Sequence, residues 1–156
     1  TSGPAVVLGA GGASRAILVA LLDEGSPEIR IANRTRARAE DLVREFNDPR
    51  LTVIDWPVSP DALSDVSLLV NTTSLGMVGQ PKLDIDLDGL PTSALVTDIV
   101  YAPLITGLLQ QAKDRGNPIV DGLGMLLHQA RPGFHRWFGI DPEVTQELRD
   151  FVLSPD

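Results

Sequence analysis

Short apolar runs alternate with helix-like segments along the whole chain, and this alternation restricts the fold more than any other feature. Buried strands are predicted at 5–8, 28–32, 51–54, 66–70, 95–100 and 119–120, and helices at 12–22, 35–46, 106–115, 124–138 and 141–152. Strands that are apolar throughout and separated by helices are typical of a parallel sheet covered on both faces. The sequence therefore predicts an α/β fold built on a doubly wound parallel sheet.

Two helix starts carry more specific predictions. Thr35 is expected to cap the second helix, because its hydroxyl can accept a hydrogen bond from a backbone N–H of the first turn. Asp141 followed by Pro142 is expected to begin the last helix. The 156 residues are interpreted as a single domain, with its core at about 5–138 and a C-terminal helix at 141–152.

Composition excludes several classes of function. The chain has no cysteine, which excludes disulfides, thiolate catalysis and cysteine-ligated metal sites, and two histidines cannot form a histidine-rich metal cluster. A net charge of −8 argues against a general binder of nucleic acid or anionic membranes, which needs a basic surface. No apolar run approaches the roughly 20 residues that span a bilayer, and the chain opens without a signal-peptide pattern. We therefore expect a soluble cytoplasmic domain with no metal, nucleic-acid or membrane partner.

A glycine-rich loop joins the first strand to the first helix. It consists of Gly9, Ala10, Gly11, Gly12 and Ala13. In a dinucleotide fingerprint the first glycine permits a tight turn and the second lets the backbone approach a pyrophosphate. A small third residue, here Ser14, lets the helix pack on the strand. The helix N-terminus adds free N–H groups and about half a positive charge. A plain turn also uses glycine, but the position between strand and helix favours dinucleotide binding by a Rossmann-like domain.

The end of the second strand indicates which dinucleotide is bound. NAD-binding proteins usually place Asp or Glu about 20 residues after the glycines, where it accepts a hydrogen bond from the ribose 2′-hydroxyl. Here Asn33, Arg34 and Thr35 occupy that position, and Arg38 follows. Guanidinium groups bind a 2′-phosphate through charge-assisted hydrogen bonds, whereas a carboxylate repels it. The sequence therefore favours NADP over NAD.

A simpler interpretation of these arginines is a solvated helix face. On such a face Arg36 would pair with Glu40 and Arg38 with Asp41, at spacings of four and three residues. This interpretation explains Arg34 poorly, because Arg34 precedes the helix and stands where the acidic residue of an NAD site would be.

Three further motifs follow later strands, namely NTTSLGM at 71–77, DIVYAPLIT at 98–106 and DGLGMLLHQA at 121–130. Earlier in the chain stand GAGGASRA at 9–16 and NRTRAR at 33–38. With these five ordered motifs, about residues 5–152 resemble the C-terminal NADP-binding domain of the shikimate dehydrogenase family, which includes quinate/shikimate relatives.

The resemblance implies a role for each motif. Gly9, Ala10, Gly11, Gly12 and Ala13 would hold the pyrophosphate, and Asn33, Arg34, Thr35 and Arg38 the adenosine ribose and its 2′-phosphate. Thr72, Thr73, Ile99 and Gly122 would line the nicotinamide-ribose end, with Met125 against the nicotinamide. Tyr101 and Gln129 match the two residues through which this domain contacts shikimate in the family.

Several of these residues also have a purely structural interpretation. Tyr101 at a strand end could be a half-buried packing residue, Met125 could fill the core, and Gln129 could be a surface residue. Packing is the interpretation of Trp56, Trp137 and Phe138, and His128 and His135 are interpreted as surface or packing residues without an evident acidic partner.

The resemblance also implies a missing part. Family members carry an N-terminal substrate domain that holds a catalytic lysine and aspartate, and we expect this domain to be absent from the 156 residues. Lys82 and Lys113, the only lysines, fall at no matching position. The expectation is therefore that this polypeptide binds NADP(H) but turns over shikimate negligibly by itself, and that its open face promotes self-association.

Two other functions remain open at this point. One is a non-catalytic NADP-binding module that senses redox state. The other is the cofactor domain of a different two-domain NADP dehydrogenase, such as a relative of glutamyl-tRNA reductase or methylenetetrahydrofolate dehydrogenase, which the Tyr101 and Gln129 motifs disfavour. The choice between shikimate and quinate also remains open.

Overall fold

A computed structural model describes residues 3–154, so the ends of the predicted domain, residues 1–2 and 155–156, lie outside the described residues. The strands are β1 (Ala5–Leu8), β2 (Ile29–Ala32), β3 (Leu51–Ile54), β4 (Leu68–Asn71), β5 (Leu95–Asp98) and β6 (Ile119–Val120). The helices are α1 (Gly12–Asp23), α2 (Arg36–Phe46), α3 (Gly107–Asp114), α4 (Leu123–Phe138) and α5 (Gln146–Leu153). A short 3₁₀ turn, Pro60–Leu63, precedes β4.

The strands form one parallel sheet in the order β3-β2-β1-β4-β5-β6. Successive side chains of β1 alternate between two cores, as the pleat of a strand requires. Val6 and Leu8 belong to the core beneath α3, whereas Ala5 and Val7 belong to the core beneath α1 and α2. All four are fully buried. The prediction of a doubly wound α/β, Rossmann-like fold is therefore confirmed.

Three strands have different bounds from those predicted. β2 begins at Ile29 and not at 28, β4 ends at Asn71 and not at 70, and local turns set the start of β4 and the end of β5. The predicted strand 66–70 begins at Leu68, since the N–H of Val66 donates to the carbonyl of Leu63 and closes a turn. The predicted strand 95–100 ends at Asp98, because the N–H of Val100 donates to the Asp98 carboxylate. The predicted bounds of β1, β3 and β6 are confirmed.

The prediction that the last helix begins at 141 is wrong. α5 begins at Gln146, because the hydroxyl of Thr145 accepts a hydrogen bond from the N–H of Leu148 and so caps the helix. The carboxylate of Asp141 lies 3.3 Å from Nδ1 of His135 instead, so His135 also has the acidic partner that its sequence context did not reveal.

The predicted cap of the second helix is confirmed in its position but not in its hydrogen bond. Thr35 does occupy the N-cap position of α2, but its side chain makes no capping hydrogen bond. α4 continues through Pro132 to Phe138, so the predicted end of this helix is confirmed.

α4 and α5 lie at the periphery of the fold. Leu123 is the only fully buried residue of α4, and α5 has none. A hydrogen-bonded ion pair of 2.5 Å between Arg149 and Asp121 ties α5 to the β6–α4 connection. The packing predicted for Trp137 and Phe138 is wrong for the described chain, since their side chains are 79% and 62% exposed. Within residues 3–154, no helix combines the length and apolar character that crossing a bilayer requires.

Gly122 allows the start of α4 to approach the end of β5. A Cβ at this position would lie 2.4 Å from the carbonyl oxygen of Ile99 and 2.6 Å from that of Val100. A Cβ atom and a nonbonded carbonyl oxygen do not approach this closely, so a side chain at residue 122 would push the two backbones apart. The position of α4 relative to the sheet therefore requires glycine at residue 122.

We expect Gly122→Ala to lower the free energy of unfolding by about 1–3 kcal/mol, as overpacking does. Gly124→Ala is the matched control: no heavy atom lies within 4 Å of a Cβ there, so its helix should be unchanged or stabilised by about 0.5–1 kcal/mol. Urea unfolding of the two variants measures both effects. Equal unfolding midpoints would contradict the close approach.

Candidate functional site

The predicted site residues follow the carboxyl ends of five neighbouring strands. The strand order reverses between β1 and β4, so the loops that follow these two strands diverge and leave a crevice at the edge of the sheet. The glycine loop follows β1, Asn33 to Thr35 follow β2, Thr72 and Thr73 follow β4, Ile99 and Tyr101 follow β5, and Gly122 follows β6. The crevice therefore lies where open α/β sheets bind their ligands.

Gly9 brings the two sides of the crevice together. Its φ of +110° lies in the left-handed region, which side chains other than glycine rarely adopt. A Cβ at Gly9 would lie 2.7 Å from Oγ1 of Thr72 and 3.0 Å from Cγ2 of Thr73. The loops after β1 and β4 therefore pack directly on one another, and only glycine fits between them.

The next two glycines face open space. No heavy atom lies within 4 Å of a Cβ built on Gly11 or Gly12, and both residues are exposed. α1 begins at Gly12, and no side chain caps its N-terminus. Ser14, in the third position of the fingerprint, is fully buried and donates a hydrogen bond of 2.7 Å to the carbonyl of Gly11. Backbone N–H groups and the positive end of the helix are thus presented at a surface without side chains.

Five arginines occupy residues 30–44, and the structure divides them into two groups. Three of them, Arg30, Arg36 and Arg44, form ion pairs with carboxylates: Arg30 with Glu28 and Asp65, Arg36 with Glu40 and Asp55, and Arg44 with Asp41. The other two, Arg34 and Arg38, are exposed, and within residues 3–154 their guanidinium groups have no hydrogen bond or ion pair.

The simpler interpretation, a solvated helix face with two ion pairs, is confirmed for only one of the two pairs. The predicted Arg36–Glu40 pair is present at 2.9 Å. The predicted pair of Arg38 and Asp41 is not formed, because Arg44 takes the carboxylate of Asp41. The two cations left without a carboxylate therefore stand immediately after β2 and in the first turn of α2, beside the crevice.

Polar groups of Asn33 and Thr35 are also available at this edge. The side-chain amide of Asn33 donates to the carbonyl of Thr35 at 2.8 Å, which fixes the turn into α2. Because the Thr35 side chain makes no capping bond, its exposed hydroxyl remains free to donate or accept. The carbonyl oxygen of the Asn33 side chain likewise has no partner within residues 3–154.

A buried polar network beneath the crevice joins the loops that follow β4 and β5. Asn71 and Asp98 are opposite one another in the parallel register, and the Asn71 amide donates 2.9 Å to the Asp98 carboxylate. Thr106 donates 2.7 Å to the other carboxylate oxygen, and the N–H of Val100 donates 3.0 Å to the first. Burial raises the pKa of the Asp98 carboxyl, whereas these hydrogen bonds lower it.

Sequence reasoning gave no role to Asn71, Asp98 or Thr106. One feature of the sequence could have indicated this network: Asn71 and Asp98 are polar residues that each end a mostly apolar strand. Their side chains are fully or nearly fully buried, so a satisfied network is required at this point. The network holds the loops on which Thr73, Ile99 and Tyr101 stand.

The hydroxyls of the two predicted threonines are engaged within the protein. Thr72 donates 2.7 Å to the carbonyl of Leu8, and Thr73 donates 2.7 Å to Oδ1 of Asn71 while accepting from the N–H of Leu75. Thr73 borders a cavity at the crevice, whereas Thr72 is buried and its hydrogen bond holds the loop after β4 against β1. Their role toward a ligand remains a prediction.

The remaining predicted residues lie on the β5–β6 side. Ile99 is partly buried and touches Gly122 through its backbone. Met125 is partly buried in the first turn of α4, and Gln129, one turn later on the same helix face, is exposed. Tyr101 is 47% exposed, so it does not pack in the core. Within the described residues, no three His, Asp or Glu side chains form a group that could hold a metal ion.

Known proteins resemble the chain in both sequence and structure. Residues 2–78 match the family Shikimate / quinate 5-dehydrogenase, and residues 122–146 match the family Shikimate 5'-dehydrogenase C-terminal domain. The chain is 63% identical to shikimate dehydrogenase (NADP(+)) of Dinoroseobacter shibae over 96% of its own length, and 60% identical to that of Paramagnetospirillum magneticum over 99%. These matches cover 53% and 55% of the two relatives, so the chain spans about half their length.

Solved structures show the same relation. Shikimate 5-dehydrogenase from Thermus thermophilus, in complex with NADP(H) and shikimate, is 37% identical with a TM-score of 0.77, over 90% of this chain and 51% of that one. Quinate dehydrogenase from Corynebacterium glutamicum, in complex with NAD, is 28% identical with a TM-score of 0.86, over 97% and 55%. The resemblance predicted from the five motifs is confirmed: nearly the whole chain matches about half of a shikimate dehydrogenase.

Proposed function

We propose that this chain is the NADP(H)-binding domain of a shikimate dehydrogenase-like oxidoreductase, folded as a single domain. In a whole enzyme of this kind, 3-dehydroshikimate and NADPH would be converted to shikimate and NADP⁺. The observation that carries the proposal is the pair of guanidiniums, Arg34 and Arg38, left without a carboxylate in a chain of net charge −8. They stand beside an open glycine loop at the switch point of the sheet.

The glycine loop fits a pyrophosphate. Gly9, Ala10, Gly11, Gly12 and Ala13 turn the chain from β1 into α1, and the surface at Gly11 and Gly12 is free of side chains. Phosphate oxygens can therefore approach the backbone N–H groups closely. The positive end of the α1 dipole stabilises them further.

The edge after β2 fits a phosphorylated ribose. Asn33 and Thr35 offer a free carbonyl oxygen and a free hydroxyl for ribose hydroxyls, while Arg34 and Arg38 offer donors for the 2′-phosphate. Two unpaired like charges near each other repel, so a dianion between them relieves that repulsion as well as forming hydrogen bonds. An NAD site would have a carboxylate here.

The β5–β6 side is proposed to hold the reactive end of the cofactor. Thr72, Thr73, Ile99 and Gly122 would line the nicotinamide ribose, and Met125 would lie against the ring. NADPH supplies a hydride when bound. Tyr101 and Gln129, both exposed, would orient the substrate next to it.

Reduction of a ketone also requires a proton donor at the developing alkoxide. Lys82 lies in the exposed loop between β4 and β5, and Lys113 is near the end of α3, at the opposite end of that helix from the crevice. Lys82 borders a cavity with Asp98 and Thr106, but neither lysine belongs to one of the five motifs. We therefore propose that these 156 residues bind NADP(H) without significant turnover, and that the acid–base groups belong to the part of the relatives that the chain does not span.

Several apolar side chains at the end of α4, just after it and on α5 are exposed. They are Trp137, Phe138, Ile140, Phe151, Val152 and Leu153. Exposed apolar surface favours association, so the 156-residue chain is proposed to self-associate.

We expect Arg34→Ala to weaken NADP⁺ binding by about 1.5–3 kcal/mol while barely changing NAD⁺ binding, because only NADP⁺ carries the phosphate. Arg36→Ala is the matched control, since Arg36 is already paired with Glu40 and Asp55 and should leave both affinities unchanged. Calorimetry with the two nucleotides in parallel measures the effect. Equal losses for both nucleotides would show that Arg34 does not bind the phosphate.

Gly11→Val should abolish binding of both nucleotides without reducing stability. Gly11 has an extended backbone, with φ of −105°, and open space around it, so the valine fits the protein but occupies the approach to the backbone. Gly9→Ala is the contrasting variant and should lower stability, because of its left-handed φ and the contact with Thr72. Calorimetry and urea unfolding separate the two effects. Retained affinity in a folded Gly11→Val protein would refute the pyrophosphate site.

We expect the purified 156-residue chain to bind NADP⁺ yet show no measurable oxidation of shikimate or quinate. Spectrophotometric detection of NADPH formation is the assay, with an intact family member as the positive control. Turnover in the range typical of enzymes, about 1–10³ s⁻¹, would contradict the proposal that the acid–base groups lie outside these 156 residues.

A further inference from the structure

A small cavity lies between the ends of β2, β3 and β4. Its volume is about 150 Å³. It is lined by Asn33, Arg34, Trp56, Thr73, Ser74 and Leu75. Five of these residues come from the loop after β4 and from the edge after β2. Trp56 comes from a different segment, two residues after β3, and the proposed function gives it no role.

Trp56 is anchored on one side and open on the other. Its side chain is partly buried and packs against the core beneath α3, so the ring has a fixed position. Trp56 also lines the cavity. A large aromatic ring held by the core and presented at a cavity is a stacking surface for another flat ring.

The other lining groups fit the edges of a purine. Trp56 and Leu75 supply apolar surface for the faces of a base. The side-chain oxygen of Asn33 and the hydroxyl of Ser74 have no hydrogen-bond partner within residues 3–154, so both can bind the edge of a base. Adenine offers an amino donor and ring-nitrogen acceptors at its edge.

The connectivity of the dinucleotide adds an independent constraint. The adenine and the 2′-phosphate are attached to the same ribose, so the base must lie within one sugar ring of the guanidinium that binds the phosphate. Arg34 lines the cavity that Trp56 borders. The two proposed groups therefore border one cavity, as the base and the 2′-phosphate of a single nucleotide require.

We infer that Trp56 is a nucleotide-binding residue, whose indole stacks on the adenine of the dinucleotide in the cavity between Asn33, Arg34 and Thr73. This inference rests on the proposed function and deepens it. It replaces the interpretation of Trp56 as a packing residue alone: the core holds the indole, and the base covers the side that the core leaves open.

The chain allows a direct optical test, because it has only two tryptophans. Trp137→Phe removes the other, which is 79% exposed, and leaves Trp56 as the single reporter. Saturating NADP⁺ and NAD⁺ should both change the emission of Trp56, since both carry adenine.

A substitution series gives a second readout. Trp56→Leu should weaken both nucleotides by about tenfold or more, as expected for a lost stacking contact, whereas Trp56→Phe should restore most of the affinity. This pattern differs from that of Arg34→Ala, which should affect NADP⁺ alone. Urea unfolding identifies any loss of packing, and the fluorescence of the Trp137→Phe protein tests the inference even if Trp56→Leu fails to fold.

The outcomes distinguish this inference from the proposed function. If calorimetry shows that NADP⁺ binds but the emission of Trp56 does not change, or if folded Trp56→Leu binds both nucleotides as the unaltered chain does, Trp56 only packs and the proposed function stands. If neither nucleotide binds the unaltered chain, both fall together.

Discussion

The contact between the loops after β1 and β4 is the constraint on which the site depends. Gly9 adopts a left-handed conformation because Thr72 occupies the space where a side chain would be, and Thr72 is held there by its bond to the carbonyl of Leu8. This contact directs the chain into α1 and points the N-terminus of that helix at the crevice. The Asn71–Asp98–Thr106 network, one strand further along, fixes the opposite wall. Both walls are thus built from satisfied polar groups, not from flexible loops.

Charge pairing divides the arginines at the edge of the crevice into two groups. Carboxylates outnumber cations by 21 to 13, so an arginine near the surface readily finds a partner, as Arg30, Arg36 and Arg44 do. Among the described residues, Arg34 and Arg38 have no ion pair, and three acids of this region are already engaged: Asp55 and Glu40 with Arg36, and Asp41 with Arg44. The paired arginines therefore keep the unpaired ones available for an anion.

The fold, the glycine loop and the cationic edge could be predicted from the sequence, because strand alternation, turn chemistry and charge are local properties. The Asn71–Asp98 network could not, since it depends on strand register between residues 27 positions apart. Local competition decided other cases: Thr145 capped α5 where Asp141 was expected to, and Arg44 took the carboxylate expected for Arg38. The exposure of Trp137 could not be predicted either, because an apolar residue in a helix sequence does not show whether another element packs against it.

The tie between α5 and the sheet has a mechanical consequence. Asp121, the partner of Arg149, immediately precedes Gly122, where the backbone of α4 rests against that of β5. α5 buries no side chain, and this ion pair ties it to the residue before Gly122. A shift of α5 would consequently be passed through two adjacent residues to the point where Gly122 meets the backbone of Ile99.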